Sequence, residues 1–460
     1  MTSQNETFGV VGGGLLGLTL SLRLAARGHR VTLLEAADHL GGLADAWQLG
    51  DVTWDRHYHV TLMSDSHLRT ILKELNLDRE MQWSQTKTGF ICDGKLMSLS
   101  NSWEFLRFPP LGLIDKLRLA WTIWHASRIG NWQHLQQVPV EDWLVRHSGR
   151  RTFERIWLPL LKAKLGDAWK RTSAAFIWAT IQRMYAARSA GMKHEMFGYL
   201  PGGYARMLEA FRGHLEKLGV EIRTGCRVHQ IEREDDGRLV VATAADERFS
   251  FDRVVATTPA TVAARICPQF SGEEIRGLQR IEYVGIVCAS LLLRKPLSPY
   301  YVTNITDPAP FTGVIEMTAL VDPTHLGGQS LVYLPKYVLE GDPTWSQTDE
   351  QIREQFLAGL AKFYPKFSAE DVLAFRLSRV RQVFALPSLD YGSHVPPMET
   401  SVPGLFLVNS AQIVNGTLNV NETVRLAESS IDLLCRPLSR SFQPGATTNV
   451  SPDRELVARP

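Results

Sequence analysis

The feature that most constrains this chain is a run of glycines near its start, Gly12-Gly13-Gly14-Leu15-Leu16-Gly17. It follows the short apolar stretch Phe8 to Val11. It precedes Leu18-Thr19-Leu20-Ser21-Leu22-Arg23-Leu24, a pattern that suits a buried helix. Gly28, flanked by Arg27 and His29, stops that helix, and Arg30 to Leu34 reads as a second strand ending at Glu35. A strand-helix-strand unit within about 30 residues, with GxGxxG at its first turn, is built to hold the pyrophosphate of a dinucleotide. Gly12 permits the tight turn, Gly14 lets backbone approach the phosphates, and Gly17 lets helix pack on strand. The helix start, with Leu15 and Leu16, presents free N–H groups and the positive end of the helix dipole. Glu35 can accept ribose hydroxyls, and its charge disfavours a 2′-phosphate. A purely structural glycine turn is the competing explanation.

Past Glu35 the chain continues Ala36-Ala37-Asp38-His39-Leu40-Gly41-Gly42-Leu43, and later Trp54-Asp55-Arg56-His57-Tyr58-His59. A domain that binds only NAD usually enters another helix here; this chain makes a second glycine turn. In these residues it resembles the superfamily of FAD-dependent amine oxidases, protoporphyrinogen oxidases and phytoene desaturases. Three later segments carry the same resemblance. They are Leu200-Pro201-Gly202-Gly203-Tyr204 with the strand-like run to Val228, Arg253-Val254-Val255-Ala256-Thr257-Thr258-Pro259, and Gly404-Leu405-Phe406-Leu407-Val408-Asn409-Ser410 followed by Gly416 to Val424.

The resemblance implies an α/β fold. A Rossmann-like FAD-binding domain of the glutathione-reductase type would carry an inserted α+β substrate domain. It implies FAD as cofactor, held by Gly12, Gly14, Leu15, Leu16, Gly17, Glu35, Ala36, Gly41, Gly42, Leu43, Val228, Thr257, Asn409, Ser410, Asn419 and Val420. Two positions depart from the usual pattern. Asn409 or Ser410 stands where relatives often carry an aspartate, and Leu43 stands where many carry arginine.

The expected FAD domain is discontinuous, over 1–90, 196–270 and 396–436. The substrate domain comprises 91–195, rich in aromatics and helical pattern, and 271–395, with strand-like runs and a helix from Thr348 to Phe363. A mobile tail is expected over 437–460. In the first insertion Leu113, Leu117, Ala120, Trp121 and Trp124 recur at helical spacing. Such a stripe packs a helix on its own domain, or it forms an amphipathic surface that touches membrane or guides an apolar substrate. Lys162 and Lys164 end an apolar segment and reach either solvent or the active site.

The formal net charge of +2 gives no basic field for nucleic acid, and 44% hydrophobic residues provide for a large core. Cys92, Cys226, Cys267, Cys288 and Cys435 form no CxxC pair, so neither a disulfide framework nor a metal site is expected, and a cytoplasmic setting fits. No leader peptide is expected, because glycines break the first apolar run, and no apolar stretch reaches about 18 residues. The expected partner is a small-molecule substrate, with peripheral membrane contact the one further partner the pattern allows.

In a flavoenzyme the ring system accepts the hydride, so few catalytic side chains are needed. His57 and His59 are the candidate acid or base, placed on one face if the segment is extended. Histidines that only tie the domain interface are the competing reading. The expected activity is oxidation or dehydrogenation of a mainly apolar organic substrate. Two alternatives stand beside it. His57-Tyr58-His59-Val60 resembles a stretch of UDP-galactopyranose mutase, a non-redox flavoenzyme, for which Arg151, Arg155, Arg171 and Arg183 are the candidate diphosphate ligands. The other is an FAD-binding protein without catalysis.

Overall fold

The computed structural model describes residues 5–100, 102–189, 196–414 and 418–437. The expected tail over 438–460 and the turn at Gly416 and Thr417 lie outside them. In chain order the strands that frame the site are β1 (Thr7–Val11), β2 (Arg30–Leu34), β3 (Thr88–Cys92), β4 (Lys95–Ser98), β5 (Glu221–Arg223) and β6 (Arg253–Ala256). They continue as β7 (Tyr283–Leu293), β8 (Val302–Ile305), β9 (Gly313–Glu316), β10 (Ser330–Val338), β11 (Val372–Ala385) and β12 (Leu405–Leu407).

The first sheet runs β5-β2-β1-β6-β12, with every neighbouring pair parallel. Its strands are apolar on both faces because both faces are covered, as a parallel sheet requires. Phe8, Val10, Leu33, Val255 and Phe406 face one core, which holds the helices α1 (Leu15–Ala26), α6 (Gly203–Lys217) and α8 (Val420–Leu434). Their immediate neighbours Val11, Leu34, Val254, Ala256, Leu405 and Leu407 point to the opposite core. The side-chain period of two in a strand produces that split. This is the Rossmann-like arrangement, with β1 at its centre and the glycine turn at the carboxyl end of β1.

The second sheet runs β11-β7-β10-β9-β8-β3-β4. It is antiparallel except where β8 pairs with β3. Strand β7, paired on both sides by β11 and β10, is buried along its whole length, which explains the unbroken apolar run from Val284 to Leu293. The boundary expected at residue 90 falls inside β3. All of β3 belongs to this sheet, because its register with Val302–Ile305 starts at Thr88. The helix expected from Thr348, α7, spans Asp349–Phe363, and Thr348 caps it by accepting from the Gln351 N–H at 3.2 Å.

Helices fill most of the first insertion: α2 (Ser102–Leu106), α3 (Leu113–Arg128), α4 (Leu158–Leu165) and α5 (Ala174–Ser189) among them. Of these, α3, α4 and α5 share a core with Val284, Phe384 and Leu386 from the second sheet. Leu418, just before α8, packs against both this helical core and the core under the parallel sheet. The start of α8 therefore sits where the two layers meet. Among the described residues no helix is long and apolar enough to cross a membrane.

Candidate functional site

The glycine turn has the geometry its spacing implies. Gly12 adopts φ +116°, a conformation that favours glycine, and its N–H donates to the Leu34 carbonyl at 2.8 Å. A Cβ on Gly17 would lie 1.9 Å from the Gly12 carbonyl oxygen, so that glycine is demanded by the helix crossing the strand. Gly14 differs. A Cβ there would meet only the Gly41 carbonyl oxygen, at 3.9 Å. Among the described residues no packing requires a glycine at Gly14, which leaves a path for a ligand to approach the start of α1. Gly14 is the N-cap of α1 and supplies no side-chain acceptor, so the first-turn N–H groups, those of Leu15 and Leu16 among them, face that path.

The second glycine turn closes on the first. The Gly41 N–H donates to the Gly13 carbonyl at 2.9 Å, and a Cβ on Gly42 would lie 3.2 Å from the Gly14 Cα. The Glu35 carboxylate accepts from the N–H groups of Gly13 at 2.5 Å and Ala37 at 2.8 Å. It is held beside the loop, next to exposed Ala36. The Glu35 carbonyl accepts from the Cys226 N–H at 2.8 Å, which brings the segment leading to Val228 against the same edge. Thr257 follows β6, with its N–H and hydroxyl both donating to the Val11 carbonyl at 2.9 Å.

Asn409 is buried and its side chain is engaged. Its oxygen accepts from the Ala411 N–H and its amide donates to the Thr258 carbonyl, both at 2.9 Å. Ser410 follows on the same turn, partly buried. Asn419 caps α8 by accepting from the Glu422 N–H at 3.0 Å, and Val420 opens the helix. The Thr258 hydroxyl, between Thr257 and Asn409, is buried with no hydrogen-bond partner among the described residues. An open approach at Gly14, an uncapped helix start and an orphaned hydroxyl at the same sheet edge suit a long polar cofactor.

The two histidines separate. The segment between the strands Val52–Asp55 and Thr61–Leu62 is not itself a strand, so alternation does not put both rings on one face. The two nitrogens of buried His57 lie 3.2 Å from the Leu43 carbonyl and 3.1 Å from Ser378 Oγ on β11. Burial, with His59 and Arg56 nearby, pushes its pKa down to about 3. His57 therefore stays neutral near pH 7 and ties the glycine turn to the second sheet. His59 is only partly buried. It stacks on Tyr204 at 4.8 Å and lies 3.5 Å from Asp55 Oδ2.

Sequence reasoning assigned no role to Asp55, which organises this region. Its carboxylate accepts from the Tyr204 N–H at 2.6 Å, and its carbonyl accepts from the Tyr333 hydroxyl. A signal was present in Gly202-Gly203: a Cβ on Gly203 would lie 2.6 Å from Asp55 Oδ1. Beside Asp55 lies a group of rings from several elements. The Tyr58 and Tyr337 hydroxyls are hydrogen-bonded at 2.8 Å, and Tyr337 packs edge-on to Phe384. Only the burial pattern of β10 hinted at Tyr333 and Tyr337, which lie on one face of that strand.

Lys162 is exposed, whereas Lys164 turns inward. Its ammonium lies 5.2 to 5.8 Å from the ring centroids of Tyr337, Phe176 and Phe384. Desolvation, and then Arg183, lower its pKa to about 8. Among the described residues it has no carboxylate partner. The four arginines considered for a diphosphate do not converge. Arg151 faces Asp115, Arg155 faces Asp93, Arg171 pairs with Glu282, and Arg183 lies 3.5 Å from Asp65.

Comparison with known proteins agrees with this geometry. The family model for flavin containing amine oxidoreductases matches residues 17–419. A 15-cis-phytoene desaturase of Glycine max is 22% identical over 386 residues, covering 77% of this chain; the chain spans 65% of that desaturase's length. An oxidoreductase of Methanosarcina mazei has the same fold, with a TM-score of 0.73 at 18% identity, over 93% of this chain and 100% of that one. So does a fatty acid isomerase of P. acnes, with a TM-score of 0.71 at 15% identity, over 94% and 99%. With a Rossmann-like sheet, an open glycine cradle and a family match over most of its length, the chain belongs to the flavin containing amine oxidoreductases, an FAD-dependent oxidoreductase family.

Proposed function

We propose that this protein oxidises a mainly apolar organic substrate, with FAD as the hydride acceptor and the rings around Lys164 as the substrate's surroundings. One observation carries the reading. The groups gathered at the junction of the helical layer and the second sheet are Tyr58, Tyr337, Phe176 and Phe384 around a single amine, and the tyrosine hydroxyls satisfy each other. Such surroundings desolvate a substrate and offer little to a highly charged one. The similarity to a 15-cis-phytoene desaturase and to a fatty acid isomerase supports the same class.

Gly12, Gly14, Leu15, Leu16 and Gly17 would hold the pyrophosphate. Glu35, Ala36 and Val228 would lie at the adenosine end, and Gly41, Gly42 and Leu43 along the middle. Thr257, Asn409, Ser410, Asn419 and Val420 would line the ring end. Asn409 acts there through the turn it builds. When bound, FAD supplies the two-electron acceptor. The chain's own residues orient the substrate, exclude water and hold one proton at Lys164 Nζ; His59, stacked on Tyr204, is the second candidate catalytic group. The proposed cofactor-binding domain comprises 1–87, 196–270 and 396–436, and the substrate domain starts at Thr88 rather than residue 91.

The test is anaerobic mixing of the purified yellow holoprotein with candidate reductants. Bleaching of the flavin by an apolar alkene or polyene, and not by polar amines, is the expected result. Bleaching by polar amines alone would overturn the apolar assignment. A colourless protein that takes up no added FAD would overturn the cofactor assignment itself.

A further inference from the structure

From the surface of the first insertion we infer that this protein docks on an anionic lipid bilayer through α2 and α3. The inference goes beyond the redox reading and does not depend on it. Among the described residues, twelve large apolar side chains are exposed, and seven of them fall between positions 103 and 124. On α2 these are Trp103 and Leu106. On α3 they are Leu113, Ile114, Leu117, Trp121 and Trp124, with Ile114 the most exposed at 73%. Of the two readings the sequence left open for the apolar stripe, packing on its own domain or an amphipathic surface, the exposed one holds, since Leu113, Leu117, Trp121 and Trp124 point outward. The inward face of α3 is Lys116, Leu119, Thr122 and Ala126.

The two helices form one surface, because Lys116 Nζ on α3 donates to the Leu106 carbonyl at the end of α2 at 2.7 Å. Beneath it, Phe108, Leu111, Leu119 and Ile156 form a small core of their own. The outer surface is thus held in place by packing from below.

Charge and ring chemistry choose the occupant. Arg107 lies over Trp103 at 4.5 Å, and Arg128 over Trp124 at 5.0 Å, while Arg118 stands exposed between them. The acids of the same stretch are turned to other uses. Glu104 accepts from the Ser98 hydroxyl and the Ser100 N–H at 2.6 and 2.7 Å. Asp115 accepts from the Gly112 N–H and faces Arg151 at 3.6 Å. Tryptophans beside arginines at the rim, with Leu and Ile between them, match a headgroup layer over an acyl boundary. The net positive rim matches anionic headgroups.

The experiment is flotation of the holoprotein with vesicles, either phosphatidylcholine alone or equal parts phosphatidylcholine and phosphatidylglycerol. The double variant Ile114→Glu/Leu117→Glu is compared with Leu373→Glu, which alters an exposed apolar residue on β11. Retained flavin absorbance reports that each variant is folded. The wild type and Leu373→Glu should float with the mixed vesicles and much less with phosphatidylcholine alone. The double variant should lose partitioning by on the order of tenfold or more. Absence of flotation by the wild type, or undiminished flotation by the double variant, would overturn the inference. So would sedimentation showing that the wild type self-associates through this face, with the double variant monomeric and neither protein on vesicles. Flavin bleaching in detergent solution is a separate readout, so failure here leaves the redox reading standing.

Discussion

At the scale of single residues, glycines that look alike in sequence do different work. Gly17 is demanded by the protein, since a Cβ would strike the Gly12 carbonyl, whereas Gly14 faces open space. Gly17→Ala should therefore cost several kcal/mol of stability by forcing helix from strand, roughly the range of an overpacked core site. Gly14→Ala should fold with near wild-type stability yet bind FAD far more weakly. Thermal unfolding of the apoprotein and flavin titration separate the two; a Gly14→Ala variant with unchanged FAD affinity would remove the pyrophosphate from that position. His57 makes a second prediction. Its folded pKa is depressed to about 3, so the neutral ring stabilises the fold above the unfolded value near 6.5. That contribution is lost as pH falls below about 6.5, at about 1.4 kcal/mol per unit. His57→Gln keeps a donor and an acceptor but cannot titrate. Its urea-unfolding free energy should fall about 2 kcal/mol less than the wild type's between pH 7 and pH 5; parallel losses would sink the argument.

At the scale of elements, β9 ends in Glu316, a fully buried carboxyl. It accepts from the Leu297 N–H at 2.9 Å and from the Thr318 hydroxyl. Burial still dominates and raises its pKa to about 7. Here the sign is opposite to that of His57. The protonated form stabilises the fold below the unfolded value near 4.5, and the contribution is lost as pH rises through 7. Glu316→Gln should match the wild type near pH 5 and exceed its stability by about 3 kcal/mol above pH 8. Denaturant titrations at the two pH values decide it. The element scale also shows what was legible beforehand. The strand-turn-helix at the start, the capped helix after Thr348 and the unbroken run of β7 rest on local signals: a glycine spacing, an N-cap with its reciprocal acceptor, and full burial. The boundary near residue 90 had no local signal, because β3 is assigned to its sheet by Val302–Ile305, more than two hundred residues away.

At the scale of the whole molecule, the proposed substrate environment exists only because distant segments meet. Lys164 comes from α4, Phe176 from α5, Tyr337 from β10 and Phe384 from β11. Lys164→Met should leave the flavin spectrum intact and slow anaerobic flavin reduction by on the order of a hundredfold. An inflection near pH 8 in the wild-type rate profile should vanish in that variant; an unchanged profile would leave Lys164 a packing residue. The sequence by itself determined the parallel sheet with its dinucleotide turn, because glycine spacing, helix stops and strand burial are short-range properties. It also placed Glu35 beside the loop, since the residue ending the second strand of such a unit has nowhere else to lie. Only the tertiary structure decided that His57 is a neutral tie, that Asp55 organises the tyrosines, that Lys164 turns inward while Lys162 does not, and that the tryptophan stripe faces out. Each of these depends on which remote element covers the residue. Burial and partners, not identity, set its charge and its task.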